Sequence, residues 1–329
     1  MKVVVTGGTG FVGLTLARSL LAKGSLVGAS GKPEPIEELV LFDGVLPQER
    51  PHGLDERAVL VQGDIADRDS VFSLVDRDDC SVFHLASVVS FGAEQDFDLA
   101  LRVNLDGGRH VLEACRARGG RSRLVFSSTY AAFGGELPPV VSDSTKLSPE
   151  TTYGTTKVIL ELLVNDYTRK AFLDGRTARL PTVIVRPGAP NLAASSWVSA
   201  VFREPLNGVD FTLPVGLDLR CAVGGVRTVV GGIVALHDLD GARLGADRCV
   251  TFPSLSVTAG EMVAAVKRFG DERALGEISV EPDPLIERIC GSWPKAAGVD
   301  RALELGLPID PDLDTIVRAY VEDWLAPAA

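Results

Sequence analysis

Lys2-Val3-Val4-Val5-Thr6-Gly7-Gly8-Thr9-Gly10-Phe11-Val12-Gly13 opens the chain and decides how the rest is read. Three β-branched residues in a row, without alternation, suit a strand covered on both faces. The glycines after them allow a tight turn into an amphipathic helix expected at about 11–23. Strand, glycine turn and helix in this order form the setting in which glycines carry a dinucleotide. They let the backbone approach a pyrophosphate, which the helix N–H groups, here of Phe11 and Val12, and the positive dipole end can hold. The loop reads both as Gly8-x-Gly10-x-x-Gly13 and as Gly7-x-x-Gly10-x-x-Gly13. With 34 glycines in 329 residues, the bare pattern arises by chance about 0.4 times. Its position after the first strand therefore carries the inference, and an ordinary glycine-rich turn is the alternative.

Outward from this unit, apolar runs alternate with longer amphipathic stretches. Strands are expected at about 36–42, 57–62, 80–85, 122–127 and 181–186, and helices at about 67–75, 94–117 and 149–174. Such alternation implies parallel strands joined by helical crossovers, an α/β, doubly wound parallel Rossmann sheet. Gly24–Pro35 reads as a surface insertion in the first helix-to-strand connection. After Arg186-Pro187-Gly188 the pattern turns to short pieces, resumes with a strand and helix near 223–238, and ends in helices near 258–269 and 312–325. The expected division is a nucleotide-binding domain, 1–186 and about 223–252, interleaved with a smaller C-terminal substrate lobe, about 187–222 and 253–329.

A chain with 46% hydrophobic and 23% charged residues is globular in composition, and 33 basic against 44 acidic residues leave a net charge of −11. That field repels a phosphate backbone and an anionic membrane surface, so neither nucleic acid nor membrane is an expected partner. Five scattered cysteines without a CxxC, and four histidines, read as reduced thiols with no metal site. Met1-Lys2 leads directly into Val3, with no room for a signal peptide, and the expected location is cytoplasmic.

Asp43 closes the strand Leu39-Val40-Leu41-Phe42, where an acid can accept both ribose hydroxyls of an adenosine and repel a 2′-phosphate. The expected cofactor is NAD. Tyr153-Gly154-Thr155-Thr156-Lys157 stands at the start of the long helix, entered through Ser148-Pro149, and residues i and i+4 share one face. A free phenol titrates near ~10, and bringing it to neutrality takes about 4 kcal/mol of charge stabilisation, which Lys157 and an oxidised nicotinamide can provide. Upstream, Ser127-Ser128-Thr129 ends a strand where open α/β sheets place their ligands. Hydroxyls there can orient a reacting alcohol, or simply satisfy a turn.

The threonine-preceded Gly7-x-x-Gly10-x-x-Gly13 spacing and the Tyr153/Lys157 pair resemble the extended short-chain dehydrogenases, within the NAD-dependent epimerase/dehydratase-like proteins. The resemblance implies Thr129 as the third catalytic residue, five before Gly134, with Phe133 in place of the motif's tyrosine. It implies Asp64 and Ile65 beside the adenine, Leu85, Ala86 and Ser87 beside the nicotinamide half, Asn104 on the following helix, and Pro187 at the cofactor. Over essentially the whole chain, strings such as Val82-Phe83-His84-Leu85-Ala86, Arg203-Glu204-Pro205-Leu206 and Leu255-Ser256-Val257-Thr258-Ala259-Gly260-Glu261-Met262 are similar to the D-erythronate dehydrogenases. These oxidise the C2 hydroxyl of a four-carbon sugar acid, which is the activity expected here. A nucleotide-sugar epimerase or reductase is the rival, sharing the same cofactor machinery. For a carboxylate substrate in so acidic a chain, Arg203 is the expected anchor, with Arg186 in reserve. Asn191, Ser195, Ser196 and Ser128 are the expected readers of sugar hydroxyls, and a homodimer is the expected assembly.

Overall fold

The computed structural model describes residues 1–119, 122–188 and 195–325. Strand β1 (Lys2–Thr6) is buried throughout and passes through the glycine turn into helix α1 (Phe11–Lys23), which Gly24 ends at φ 72°. The segment expected as an insertion forms an antiparallel hairpin, β2 (Ser25–Val27) with β3 (Pro33–Pro35). It is anchored by a fully buried Leu26 and by the Val27 N–H on Asp238. Next come β4 (Glu38–Asp43), β5 (Ala58–Gln62), α2 (Arg68–Leu74) and β6 (Cys80–His84). The single helix expected at about 94–117 is broken into α3 (Ser90–Gln95), α4 (Phe97–Ala100), a π-helical stretch Leu101–Asp106 and α5 (Gly107–Arg116). At the first break, Asp96 caps the new start by accepting from the Leu99 N–H.

The chain continues with β7 (Arg123–Thr129), α6 (Thr152–Arg169), β8 (Asp174–Leu180), β9 (Thr182–Ile184), α7 (Ser196–Leu206), β10 (Phe211–Leu213), β11 (Arg220–Gly225) and α8 (Val226–Asp238). It closes with β12 (Cys249–Thr251), β13 (Leu255–Thr258), α9 (Ala259–Lys267), β14 (Ile278–Val280), α10 (Pro284–Gly291), α11 (Asp300–Glu304) and α12 (Leu313–Tyr320).

Seven strands form one parallel sheet in the order β12-β8-β7-β6-β1-β4-β5. Alternate β1 residues serve opposite faces. Val3 and Val5 pack with Leu16 and Leu20 of α1 and Ile233 of α8, while Val4 packs with Val111 of α5 and Leu160 of α6. The winding reverses at β1, flanked by β4 and β6, so the crevice at their carboxyl ends is where such a sheet binds its ligand.

The strand expected at 181–186 is shortened to β9, and a further strand, β8, precedes it. β8 belongs to the large sheet, and after Pro181, β9 pairs with β11 in a second sheet ordered β13-β11-β9. The sequence Asp174-Gly175-Arg176-Thr177-Ala178-Arg179-Leu180 is too polar to read as a covered strand, yet all but Asp174 is buried. Its arginines are paired internally: Arg176 with Asp174 and the His237 carbonyl, Arg179 with Glu161. The strand expected near 223 likewise joins the second sheet, while α8 and β12 return to the large one. A separate apolar cluster, with Trp197, Phe202, Val223, Met262, Ile316 and Tyr320, includes residues of the second sheet. Among the described residues no helix is long and apolar enough to cross a membrane.

Candidate active site

The nucleotide end of the crevice is made of backbone. Gly7 sits at φ 69°, and a Cβ on Gly13 would lie 2.2 Å from the Gly7 carbonyl oxygen, so the first turn of α1 can press against the loop only because both are glycine. No side chain caps α1, leaving the Phe11 and Val12 N–H groups pointed at the crevice without helical acceptors. Asp43 ends β4 beside this loop, its Oδ2 accepting from the Thr9 N–H at 3.1 Å and the Thr9 hydroxyl at 2.8 Å. After β5, Ile65 is buried and Asp64 accepts from the Ala66 N–H. After β6, the Leu85 and Ala86 N–H groups bond to the Thr6 carbonyl and hydroxyl. Asn104, 2% exposed, accepts from Ser87 Oγ and the Val88 N–H and donates to the Val88 carbonyl and Thr156 Oγ1. It ties the 85–88 loop to α6. An uncapped helix start, a glycine cradle closed to any side chain and an acid at the neighbouring strand end fit NAD.

The reacting end is made of side chains from β7 and α6. Helix α6 starts later than Ser148-Pro149 suggests: Thr151 is the N-cap, its hydroxyl accepting from the Gly154 N–H at 3.0 Å. A Cβ on Gly154 would lie 2.1 Å from the Ala131 carbonyl oxygen. That glycine lets α6 approach the turn after β7, where Thr129 Oγ1 accepts from the Ala131 N–H at 3.1 Å. Loss of solvent around the phenol pushes Tyr153 up to about 12, against which the neighbouring Thr129 hydroxyl acts. Lys157, 2% exposed, donates to the Ser127 carbonyl at 2.8 Å and lies 5.5 Å from the Tyr153 ring centroid. Burial pushes it down to about 7, while Glu161 pushes it up. Both charged forms are thus disfavoured by burial, and each favours the other as a pair. His84 is buried beneath, Nδ1 on Thr6 Oγ1 at 2.7 Å, and burial holds it down at about 3, neutral.

Two expected substrate contacts are already engaged. The Ser128 hydroxyl is turned inward onto Glu161 and is 2% exposed, so it faces the protein and not the crevice. Arg203 is 4% exposed, its Nε and Nη2 donating to Glu204 at 2.9 and 2.6 Å and its Nη1 to the Arg186 carbonyl at 3.0 Å. It braces α7 against the end of β9. Arg186 is exposed beside Pro187, its N–H held by Ser199 Oγ, and among the described residues its guanidinium has no partner. Ser195 and Ser196 stand partly buried at the start of α7, and Asn191 lies outside the described residues. Sequence reading passed over the buried Glu161–Arg179 pair and Gly154. The recurrence of an acid four residues after Lys157, on the same helix face, was the available signal.

The chain belongs to the NAD dependent epimerase/dehydratase family, whose pattern residues 3–234 match. It is an NAD-dependent enzyme of that family, with the Rossmann-type sheet such proteins share. Among curated proteins, it is 46% identical to a D-erythronate dehydrogenase of Cupriavidus necator, over 98% of both chains. It is 39% identical to a D-erythronate dehydrogenase of Haemophilus influenzae, over 98% of this chain and 99% of that one. Among solved structures, the nucleoside-diphosphate-sugar epimerase from Agrobacterium tumefaciens superimposes with a TM-score of 0.91 at 36% identity, covering 100% of this chain and 95% of that one.

Proposed function

We propose that this enzyme oxidises the C2 hydroxyl of a four-carbon sugar acid, D-erythronate to 2-oxo-D-erythronate, with Tyr153 as general base. The observation that carries the reading is the likeness, over nearly the full chain, to two proteins named for that activity. Thr129 holds the substrate oxygen, and Tyr153 Oη takes its proton. Lys157 stabilises the phenolate and contacts the nicotinamide ribose. Bound NAD supplies the acceptor for the C2 hydride. Gly7, Gly10 and Gly13 with the Phe11 and Val12 N–H groups hold the pyrophosphate, Asp43 the adenosine ribose, Asp64 and Ile65 the adenine, and Leu85, Ala86, Ser87 and Pro187 flank the nicotinamide. The large sheet serves the cofactor, and the segments about 187–222 and 253–329 serve the sugar acid.

Because Arg203 is committed to Glu204 and the Arg186 carbonyl, the substrate carboxylate falls to Arg186, the exposed cation beside Pro187. Asn191, Ser195 and Ser196 read the hydroxyls. Exposed Phe97 on α4 and Ile159 and Leu162 on α6 support a homodimer, and five buried cysteine thiols suit a reducing cytoplasm. The epimerase name of the Agrobacterium tumefaciens structure favours a second reading, a nucleotide-sugar epimerase. A screen of C4 and C5 sugar acids for NAD reduction, and of UDP-sugars for conversion to their epimers, separates them. Turnover of D-erythronate supports the first reading, and turnover of a UDP-sugar alone overturns it.

A further inference from the structure

The most deeply buried ion pair among the described residues lies one helical turn beyond Lys157. The Glu161 and Arg179 side chains are 2% and 3% exposed. Arg179 Nε and Nη2 donate to Glu161 Oε1 and Oε2 at 3.1 and 2.7 Å, a two-bonded fork joining β8 to α6. Glu161 Oε1 also accepts from Ser128 Oγ, the residue before Thr129. Arg179 is fixed in turn by Thr251 Oγ1 at 3.1 Å and by the Phe133 ring, 5.1 Å from centroid to guanidinium carbon, with Asp143 3.9 Å away. A buried ion pair adds little net stability over an apolar pair of the same shape. Its placement beside the reacting groups is the informative property.

We propose that Glu161 is a positioning residue for the reaction, held by Arg179: its carboxylate fixes Ser128 behind Thr129 and supports the buried ammonium of Lys157 one helical turn away. This rests on Tyr153 and Lys157 being the proton-transfer pair. Among the charges near Lys157, Glu161 is the one acting to keep it protonated against burial. The other groups facing the ammonium are the Ser127 carbonyl and Phe126 ring on β7, the Tyr153 phenol on α6, and His84 on β6, which is neutral. Around Glu161 stand Arg179 on β8 and the Cys249 thiol on β12, which burial keeps protonated. Asp143 faces Arg179 and is itself bonded to Arg301.

The sign follows from linkage. Without Glu161 the ammonium is lost at a lower pH, and the phenol, deprived of that positive neighbour, ionises at a higher one. The test is Glu161→Gln/Arg179→Met, which removes both charges and leaves no unpaired arginine. NADH affinity is followed by fluorescence from about pH 6 to about 9, beside the kcat profile for D-erythronate. The expected result is that the alkaline weakening of NADH binding begins about one pH unit lower than in the wild type, and the acid limb of kcat moves up by a similar amount. Glu161→Asp, which keeps the charge, restores most of the wild-type binding profile. If the double variant does not accumulate as folded protein, Glu161→Gln alone carries the same expectation in the same NADH titration. A folded variant with wild-type pH dependence in both measurements overturns the proposal. Tyr153→Phe is the control for the reading beneath it. Full turnover there removes the proton-transfer pair itself, whereas an inactive Tyr153→Phe beside an unshifted charge variant removes only the role of Glu161.

Discussion

The two ends of the crevice are built from different materials. At the nucleotide end, Gly7, Gly10, Gly13 and the start of α1 offer backbone N–H groups and empty space, with Asp43 beside them. At the reacting end stand the side chains of Thr129, Tyr153, Lys157, Glu161 and Arg179, and the ionisation of Tyr153 and Lys157 depends on their surroundings. Backbone dipoles do not titrate, so the first end should respond to added volume and barely to pH. Buried side chains do titrate, so the second should respond to charge.

The sharpest break in that comparison is Tyr153→Phe. Its kcat should fall by at least about 10²-fold while NADH affinity stays near wild type, since the glycine cradle is untouched. Fluorescence titration beside steady-state kinetics checks both, and near-normal turnover would end the assignment of the reacting end. Next in size, the two arginines divide anchoring from bracing. Arg186→Ala should raise KM for sugar acids by roughly 10- to 100-fold, the worth of a charged hydrogen bond, with NADH binding kept. Arg203→Ala should instead lower thermal stability, because Glu204 loses its partner. If Arg203→Ala raises KM with Tm unchanged, the anchor returns to Arg203.

At the nucleotide end, Gly13→Ala drives a methyl toward the Gly7 carbonyl, a backbone atom with little room to yield. Overpacking of 1–3 kcal/mol predicts about tenfold weaker NADH binding with an unchanged kcat pH profile. A shifted profile would show that the two ends are not independent. The smallest effect sharpens the comparison: Asp43→Ala should cut the preference for NAD over NADP several-fold, read as kcat/KM for each cofactor. An unchanged preference would move ribose selection away from β4.

Legibility in the sequence followed the same divide. The glycine loop, the strand before it, Asp43 and the Tyr153/Lys157 pair were readable because each depends on neighbours close in the chain: a turn, a strand end, one helix face. β8 was misplaced because Arg176 and Arg179 gave a covered strand the composition of a loop, and their partners Asp174, His237 and Glu161 come from separate places. Ser128 and Arg203 were offered to a substrate for a related reason. Their residue types suit one, but the structure spends them on Glu161 and Glu204.

By itself, then, the sequence determined the winding of the large sheet, the glycine turn and the shared helix face of Tyr153 and Lys157, all of which arise from periodicity and short spacing. Tertiary structure alone decided which buried charges meet, where the chain leaves the large sheet at Pro181 for the second one, and which polar side chains remain open to a ligand. The physical reason is that a buried charge is tolerable only beside its partner. For Arg179 that partner stands 18 positions back on a helix, and for Ser128 it stands 33 positions ahead on the same one.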